Sequence, residues 1–403
     1  MNGNAPIYFI RTYGCQANTA DSSYISDILN RNKFVELELP NELSVSTEEG
    51  CREKELLTYA LEHSNLFIIN SCCVRQKSED KVYGIGKIVK DLKQKNKHIP
   101  LIILTGCMVG STKGERKRID AKELEGKTDW VDIYLDHESV AMLPELIKSK
   151  GLYSGMLNVK NPSGKNKRSH SYINISTGCD NFCSYCVVPY SRGKEVSRDE
   201  REIINEIVKL TKDGVTDFTL CGQNVNSWGL NYDEKFKIRA GSSEHVPFVD
   251  LLKKIHSIPE VKKIDFISSN PFDFTIDLVK TLGMPKISNY LHIAVQSGSN
   301  EILKKMNRRH TVKDFLSLIS EIKKIRPDME LGTDIIVGFP GETEKQFMET
   351  VDLFKKIKFN VAFISKYSPR KGTFAYKNYP DDVPREEKSR RLSYLTKIWK
   401  DSL

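Results

Sequence analysis

The chain has 403 residues, 39% of them hydrophobic and 29% charged, with a formal net charge of +9. That length is enough for two or three domains, each with its own core. No apolar run approaches the ~18 residues of a membrane span, and the start Met1-Asn2-Gly3-Asn4-Ala5-Pro6 lacks the basic and apolar regions of a signal peptide, so a cytoplasmic chain without membrane contact is expected.

In a reducing compartment the nine cysteines, an odd number, read as metal ligands or catalytic groups rather than disulfides. The basic surplus suits a polyanion such as RNA. Lysine-rich solvated runs such as Lys93-Gln94-Lys95-Asn96-Lys97 would give the same total.

Residues 1–150 read as an α/β domain. Strands are expected at 7–12, 66–70, 101–105 and 131–135; the second and third are continuous apolar runs, as in a buried parallel sheet. Helices are expected from 19 to 29, 55 to 63, 78 to 95 and 143 to 150, with a polar stretch between 30 and 54. Cys15, Cys72 and Cys107 each fall within three residues of a strand end. In an open parallel sheet the carboxyl ends of the strands line one edge, where ligands bind. Three cysteines distant in sequence are thus expected together, as a three-thiolate set for an iron–sulfur cluster with one open iron. A single such cysteine would read as a small buried apolar residue. Cys73 adjoins Cys72 and is read as a non-ligand, as is Cys51, which no strand precedes.

Residues 151–170 read as a linker, with turn residues and charge combined in Asn161-Pro162-Ser163-Gly164-Lys165-Asn166-Lys167-Arg168. From 171 to 384 a strand–helix rhythm repeats six times. Strands fall near 171–176, 216–220, 263–267, 290–295, 330–336 and 360–365. Helices fall near 199–212, 248–257, 274–282, 311–325 and 343–358, and a last one, at 385–400, lies in a C-terminal segment 385–403. Six units predict an incomplete (β/α)6 barrel, open at the side, with its chemistry at the carboxyl ends of the strands. The fold class expected is therefore α/β, an open parallel-sheet domain followed by a partial barrel.

The first barrel loop, Gly178-Cys179-Asp180-Asn181-Phe182-Cys183-Ser184-Tyr185-Cys186, spaces three cysteines as CxxxCxxC. Three thiolates on one short loop hold three corners of a cubane cluster and leave the fourth iron free for a small molecule. A structural zinc would want four protein ligands, and the nearest spare one is His170.

These residues resemble the radical S-adenosylmethionine (SAM) methylthiotransferases. CxxxCxxC with an aromatic residue, here Tyr185, before the third cysteine resembles the superfamily signature. The segments 12–18, 70–72 and 105–108 resemble that family's N-terminal cluster domain, and Val295-Gln296-Ser297-Gly298-Ser299 and Val337-Gly338-Phe339-Pro340-Gly341-Glu342 resemble its barrel segments. Residues 72–77, 187–198 and Gly222-Gln223-Asn224-Val225-Asn226 resemble the MiaB branch, which modifies isopentenyladenosine in tRNA. Members usually continue into a small RNA-binding β-barrel, the TRAM domain, for which the residues after Arg391 leave no room.

The resemblance implies two 4Fe-4S clusters, one on Cys179, Cys183 and Cys186 that binds and cleaves SAM, and one on Cys15, Cys72 and Cys107 that carries sulfur. It implies that both open irons face one cavity. It implies a methylthio group added to carbon 2 of the isopentenyl-modified adenosine at position 37 of tRNA, at the expense of two SAM molecules. It also implies an electron donor such as flavodoxin or ferredoxin, a sulfur donor, and a monomer. Around SAM, the backbone at Tyr185 is expected against the adenine, and Gln223, Gln296 and Asp334 as polar partners. Asp334 is a carboxylate in an apolar strand, hence paired or functional. Arg308, Arg309 and His310 would meet a carboxylate or phosphate, or only lead into a helix. The Gly338–Glu342 turn would let the backbone approach a ligand, and Cys221 would pack as an apolar residue. The rival readings are methylthiolation of threonylcarbamoyladenosine or of a ribosomal-protein aspartate, and a non-catalytic iron–sulfur RNA-binding or redox protein.

Overall fold

The computed structural model describes residues 5–44, 51–151, 169–238 and 240–403. The charged linker cluster 161–168 and the Cys51 side chain lie outside the described residues. The chain divides into two units, Met1–Asn166 with Tyr190–Gly193, and Lys167–Pro189 with Lys194–Leu403. Four residues that follow the CxxxCxxC loop thus belong to the first unit.

The first unit is a five-stranded parallel sheet: β1 (Ile7–Thr12), β2 (Val35–Glu36), β3 (Leu66–Ser71), β4 (Leu101–Gly106) and β5 (Ile133–Leu135), ordered β2-β1-β3-β4-β5. All six residues of β3 are buried, which is why its sequence is apolar without alternation. Tyr8, Leu66, Ile68 and Ile103 meet Ile25 and Leu29 of the Gln16–Arg31 helix and Leu143 and Ile147 of the Leu143–Ser149 helix in one core. The two-residue β2 lies in the polar stretch 30–54, where no strand is expected; it is too short to show a period and is held at the edge by β1.

The second unit carries β6 (His170–Asn174), β7 (Ser176–Thr177), β8 (Val196–Ser197), β9 (Asp217–Cys221), β10 (Lys263–Phe266), β11 (Tyr290–His292), β12 (Glu330–Val337) and β13 (Val361–Lys366). β6-β9-β10 and β11-β12-β13 are parallel throughout, and the bridges Ile264↔Ile287 and Ser269↔Ile293 join them into one six-strand array. β7 and β8 form a small antiparallel pair beside it. Among the described residues β13 does not pair with β6, so the array is an open partial barrel. Ile173, Phe218, Leu220, Ile264, Leu291, Leu331 and Ile335 from the strands meet Ile203, Phe248, Phe315 and Phe347 from the helices in one continuous core.

Helix starts follow local chemistry. Asp199 caps Glu200–Lys212 by accepting from Arg201 and Glu202 N–H, and Thr311 and Thr343 open capping boxes with Asp314 and Gln346. Three short helices, Tyr232–Lys237, Asn300–Lys305 and Phe374–Asn378, fall outside the expected rhythm because one or two turns carry too few apolar repeats to register. Among the described residues no helix is long and apolar enough to cross a membrane.

Candidate metal centres

Cys15, Cys72 and Cys107 follow the carboxyl ends of β1, β3 and β4, which are neighbours in the sheet. A buried polar lattice aligns the three loops. Asn18, fully buried, donates from Nδ2 to Asn70 Oδ1 (3.0 Å) and Ser71 O (3.2 Å), and Asn70 Nδ2 returns to Asn18 O (2.8 Å). Ser71 Oγ donates to Thr105 O at 2.5 Å and accepts from Met108 N at 3.3 Å. Gly106 turns the chain into Cys107 at φ 89°, where an added Cβ would lie 2.4 Å from Ser71 O. Only glycine suits that combination of angle and contact.

Cys72 and Cys73 both hydrogen-bond to Cys107. Those two donors, with Arg192 and His137 nearby, hold the Cys107 thiol well below its ordinary range, while the same hydrogen bond and burial push Cys72 up. The site therefore favours a thiolate at Cys107, the form that binds metal. Cys73, read from the sequence as a non-ligand, hydrogen-bonds to Cys107 as Cys72 does. The two differ in their other partners: Val74 N donates to Cys72 Sγ at 3.4 Å, whereas Cys73 Sγ lies 3.4 Å from Ser111 Oγ in the core.

In the second unit, the loop after β7 carries Cys179, Cys183 and Cys186. It starts with Gly178 at φ 72° and holds Phe182 at φ 45°, a strained value for an aromatic residue. That conformation is fastened from the Asn300–Lys305 helix and the residues after it. Asn307 Nδ2 donates to Phe182 O (3.0 Å), Ser184 N donates to Met306 O (3.0 Å) and Ser184 Oγ to Lys305 O (2.8 Å). Arg308 donates from Nη1 to Cys183 Sγ at 3.4 Å. Burial works against its charge, but Cys183 and Tyr185 outweigh burial and keep it protonated. Val188 N donates to Cys186 Sγ at 3.4 Å, the same relation as Val74 to Cys72. Near Cys179, Glu195 accepts from Lys235 Nζ (2.5 Å) and Asp180 N (3.1 Å). Burial, then Glu195, push the Cys179 thiol up.

Of the expected SAM partners, Tyr185, Gln223 and Gln296 lie beyond strand ends, whereas Asp334 lies within β12. Tyr185 packs its ring against Ile302, Met306, Phe339, Tyr367 and Ala375, which positions its backbone; burial, then Cys183, push its hydroxyl up. Gln296 sits at φ 75° with its N–H on Asp334 O and its carbonyl on Ile336 N, so it continues the sheet rather than forming a free turn. Gln223 and Gln296 make no side-chain hydrogen bond within the described residues. Asp334 is not a buried charge: its side chain is 39% exposed and accepts from His292 Nε2 at 2.7 Å. The strand reads as apolar because its alternate residues, Leu331, Thr333, Ile335 and Val337, face the helices.

Other sequence readings change role. Asn224 donates to Asp273 at 3.0 Å and Asn226 to Asn270 O at 2.9 Å, a fully buried brace between the loops after β9 and β10. Arg309 pairs with Asp273 at 2.7 Å. His310 is buried, with the Val295 backbone and Arg308 beside its ring. Gly338 packs against the Lys388 side chain, and its N–H is taken by Glu342, so the turn is closed on the protein rather than held open for a ligand. Cys221 is fully buried, as expected. Sequence reasoning gave no role to Arg192 and His137, which act on Cys107, or to Asp21, which pairs with both; Arg192 lies in the family-like segment 187–198, but nothing in that segment singles it out.

Among the described residues no three His, Cys, Asp or Glu side chains converge on a single point. A mononuclear zinc needs such convergence; the thiolates of a cubane bind separate irons and do not. A buried cation beside each set of thiols, Arg192 and Arg308, and an Arg308 Nε that is buried without a hydrogen-bond partner among the described residues, fit a sulfur-rich anionic cluster.

The family model described as Radical SAM superfamily matches residues 173–354, and the one described as Uncharacterized protein family UPF0004 matches 48–124. The tRNA-2-methylthio-N(6)-dimethylallyladenosine synthase of Clostridium botulinum (strain Loch Maree / Type A3) is 37% identical over 402 residues, 97% of this chain and 81% of that protein. The protein of the same name from Caldicellulosiruptor saccharolyticus is 36% identical, over 98% of this chain and 78% of that protein. Among solved structures, the radical S-adenosylmethionine methyltransferase TsrM from Kitasatospora setae, with cobalamin and a [4Fe-4S] cluster bound, aligns with a TM-score of 0.62 over 93% of this chain and 77% of that chain. OxsB, a cobalamin-dependent S-adenosylmethionine radical enzyme, aligns at 0.55 over 98% of this chain and 56% of its own. At 12% and 11% identity these two likenesses are of fold.

Proposed function

The chain belongs to the family of tRNA-2-methylthio-N(6)-dimethylallyladenosine synthases, the MiaB family, and on that premise we propose that it methylthiolates carbon 2 of isopentenyl-modified adenosine at tRNA position 37. The observation that carries this is the 37% identity spread over 97% of the chain. Two three-cysteine sets, each following strand ends, give the reading its chemistry. Cys179, Cys183 and Cys186 would hold the cluster that binds SAM, and Cys15, Cys72 and Cys107 the one that carries sulfur. Such clusters supply one-electron cleavage of SAM, and with it removal of hydrogen from an unactivated carbon and insertion of sulfur.

The protein's part is positioning and charge. Arg308 offsets the anionic sulfur at Cys183 in a buried site. The Asn307 and Ser184 hydrogen bonds hold the three loop cysteines in place before any ligand arrives. Gln223 and Gln296 offer side-chain amides that make no hydrogen bond among the described residues, suited to the polar groups of SAM, and the Tyr185 backbone lies next to Cys186 for its adenine. Asp334, already paired with His292, would act as a pair with it. The +9 charge favours the tRNA phosphates. An external electron donor such as flavodoxin or ferredoxin and an external sulfur donor complete the reaction, with the protein acting as a monomer in the cytoplasm.

The test is mass spectrometry of tRNA nucleosides from a strain deleted for the gene. Loss of the 2-methylthio-isopentenyladenosine signal, restored by the wild-type gene, is expected. Its persistence, with loss of a methylthiolated threonylcarbamoyladenosine or ribosomal aspartate instead, would overturn the assignment.

A further inference from the structure

We propose that Arg192 is the charge-setting residue of the sheet-edge centre, fixing the reduction potential of the cluster held by Cys15, Cys72 and Cys107; this rests on the reading of those three cysteines as ligands.

Arg192 reaches the first unit as one of only four residues, Tyr190–Gly193, that join it from the far part of the chain. The segment is fastened on both sides. Gly110 lies so close that an added Cβ would sit 1.9 Å from Ser191 O, and Arg116 Nη1 donates to Gly193 O at 3.4 Å. Its side chain is 4% exposed and donates from Nη2 to Asp21 Oδ2 at 2.8 Å, with His137 Nδ1 at 3.6 Å from the same oxygen. After burial and Asp21, the charges that act on it are Cys107 and Cys15. A second buried arginine, Arg118, faces Cys73 and Glu79 instead. Of these two buried arginines, Arg192 is the one whose charge acts on Cys107 and Cys15.

Cluster potentials depend on net charge, hydrogen bonds to sulfur and solvent exposure. A fixed cation in a buried site favours the state that carries the extra electron, and water cannot screen it there. Asp21, paired with it, carries the opposite charge. The two residues should then move the potential in opposite directions, which a merely structural pair would not do.

The experiment uses the full chain with Cys179, Cys183 and Cys186 all changed to Ala, loaded anaerobically with iron and sulfide, so that one cluster is read. The midpoint potential is measured at fixed pH by electron paramagnetic resonance. Arg192→Gln is expected to lower it, Asp21→Asn to raise it, and Arg192→Lys to stay near the parent, each with the parent's iron content. Shifts of the same sign, or none, would overturn the proposal. So would loss of iron from both Arg192→Gln and Asp21→Asn, since the pair would then be a fastening of the fold. A parent protein that takes up no iron would refute the ligand reading itself, and the proposal with it.

Discussion

The Arg308 guanidinium spans two fixed points: Nη1 donates to Cys183 Sγ at 3.4 Å and Nη2 to Ala294 O at 2.7 Å. A planar fork is needed to reach both, which a lysine cannot do. Arg308→Met keeps an unbranched apolar side chain and removes the charged guanidinium, which lies 5.1 Å from the Phe272 ring centre. Loss of such an outer partner typically costs 10–100-fold, so reductant-dependent formation of 5′-deoxyadenosine should fall by about that factor, with iron content kept. An unchanged rate would show that Arg308 is only a packing residue.

Cys72 and Cys73 give a sharper test of ligand assignment. Both touch Cys107, but Cys72 receives the Val74 N–H, as Cys186 receives that of Val188, while Cys73 faces Ser111. Cys72→Ala is expected to remove about half of the iron of the two-cluster protein, and Cys73→Ala to leave it in place. Iron analysis that showed the reverse would exchange their roles.

The Asn18–Asn70 lattice makes a prediction on stability. Asn18→Ala strips a donor from Asn70 Oδ1 and Ser71 O in a fully buried place. Leaving such groups unsatisfied costs about 1–3 kcal/mol. Thermal unfolding should shift down by about 2–4 °C per kcal/mol, and iron content should fall together with the melting temperature. A loss of iron with no change in melting would instead place Asn18 at the metal.

His310 predicts a pH dependence. Burial, with Arg308 beside it, pushes the imidazole down to about 2. The unfolded chain takes up a proton below its ordinary value of about 6.5, and the folded protein does not until about 2. The unfolded state binds more protons throughout that window, so stability falls as pH falls from about 6.5. His310→Phe removes the titration, and its urea midpoint should drop less between pH 7 and pH 5 than that of the wild type. Equal drops would show that His310 is not part of the acid response.

Much of this was legible in the residues. The apolar run at 66–70 reads as a buried strand because a strand covered on both faces has no reason to alternate, and Cys72 then falls at its end. The CxxxCxxC loop is local: its three thiols lie within eight consecutive residues, Cys179 to Cys186, so spacing alone brings them together. The six-fold strand–helix rhythm likewise appears in the order of apolar segments. The Asp334 environment was misread because the sequence shows the apolar residues flanking it but not the outward face that its own alternation gives it.

Composition and local spacing therefore marked the strands, the barrel rhythm and the six candidate ligand cysteines, because each depends on neighbours within a few residues or on a repeating period. Only the tertiary structure decided what surrounds them. Arg192 meets Asp21 across 171 positions of sequence, and Arg308 meets Cys183 across 125. Nothing in a linear pattern marks such pairs, because the energy that selects them, a buried charge seeking its counter-charge, exists only once the chain has excluded water around both.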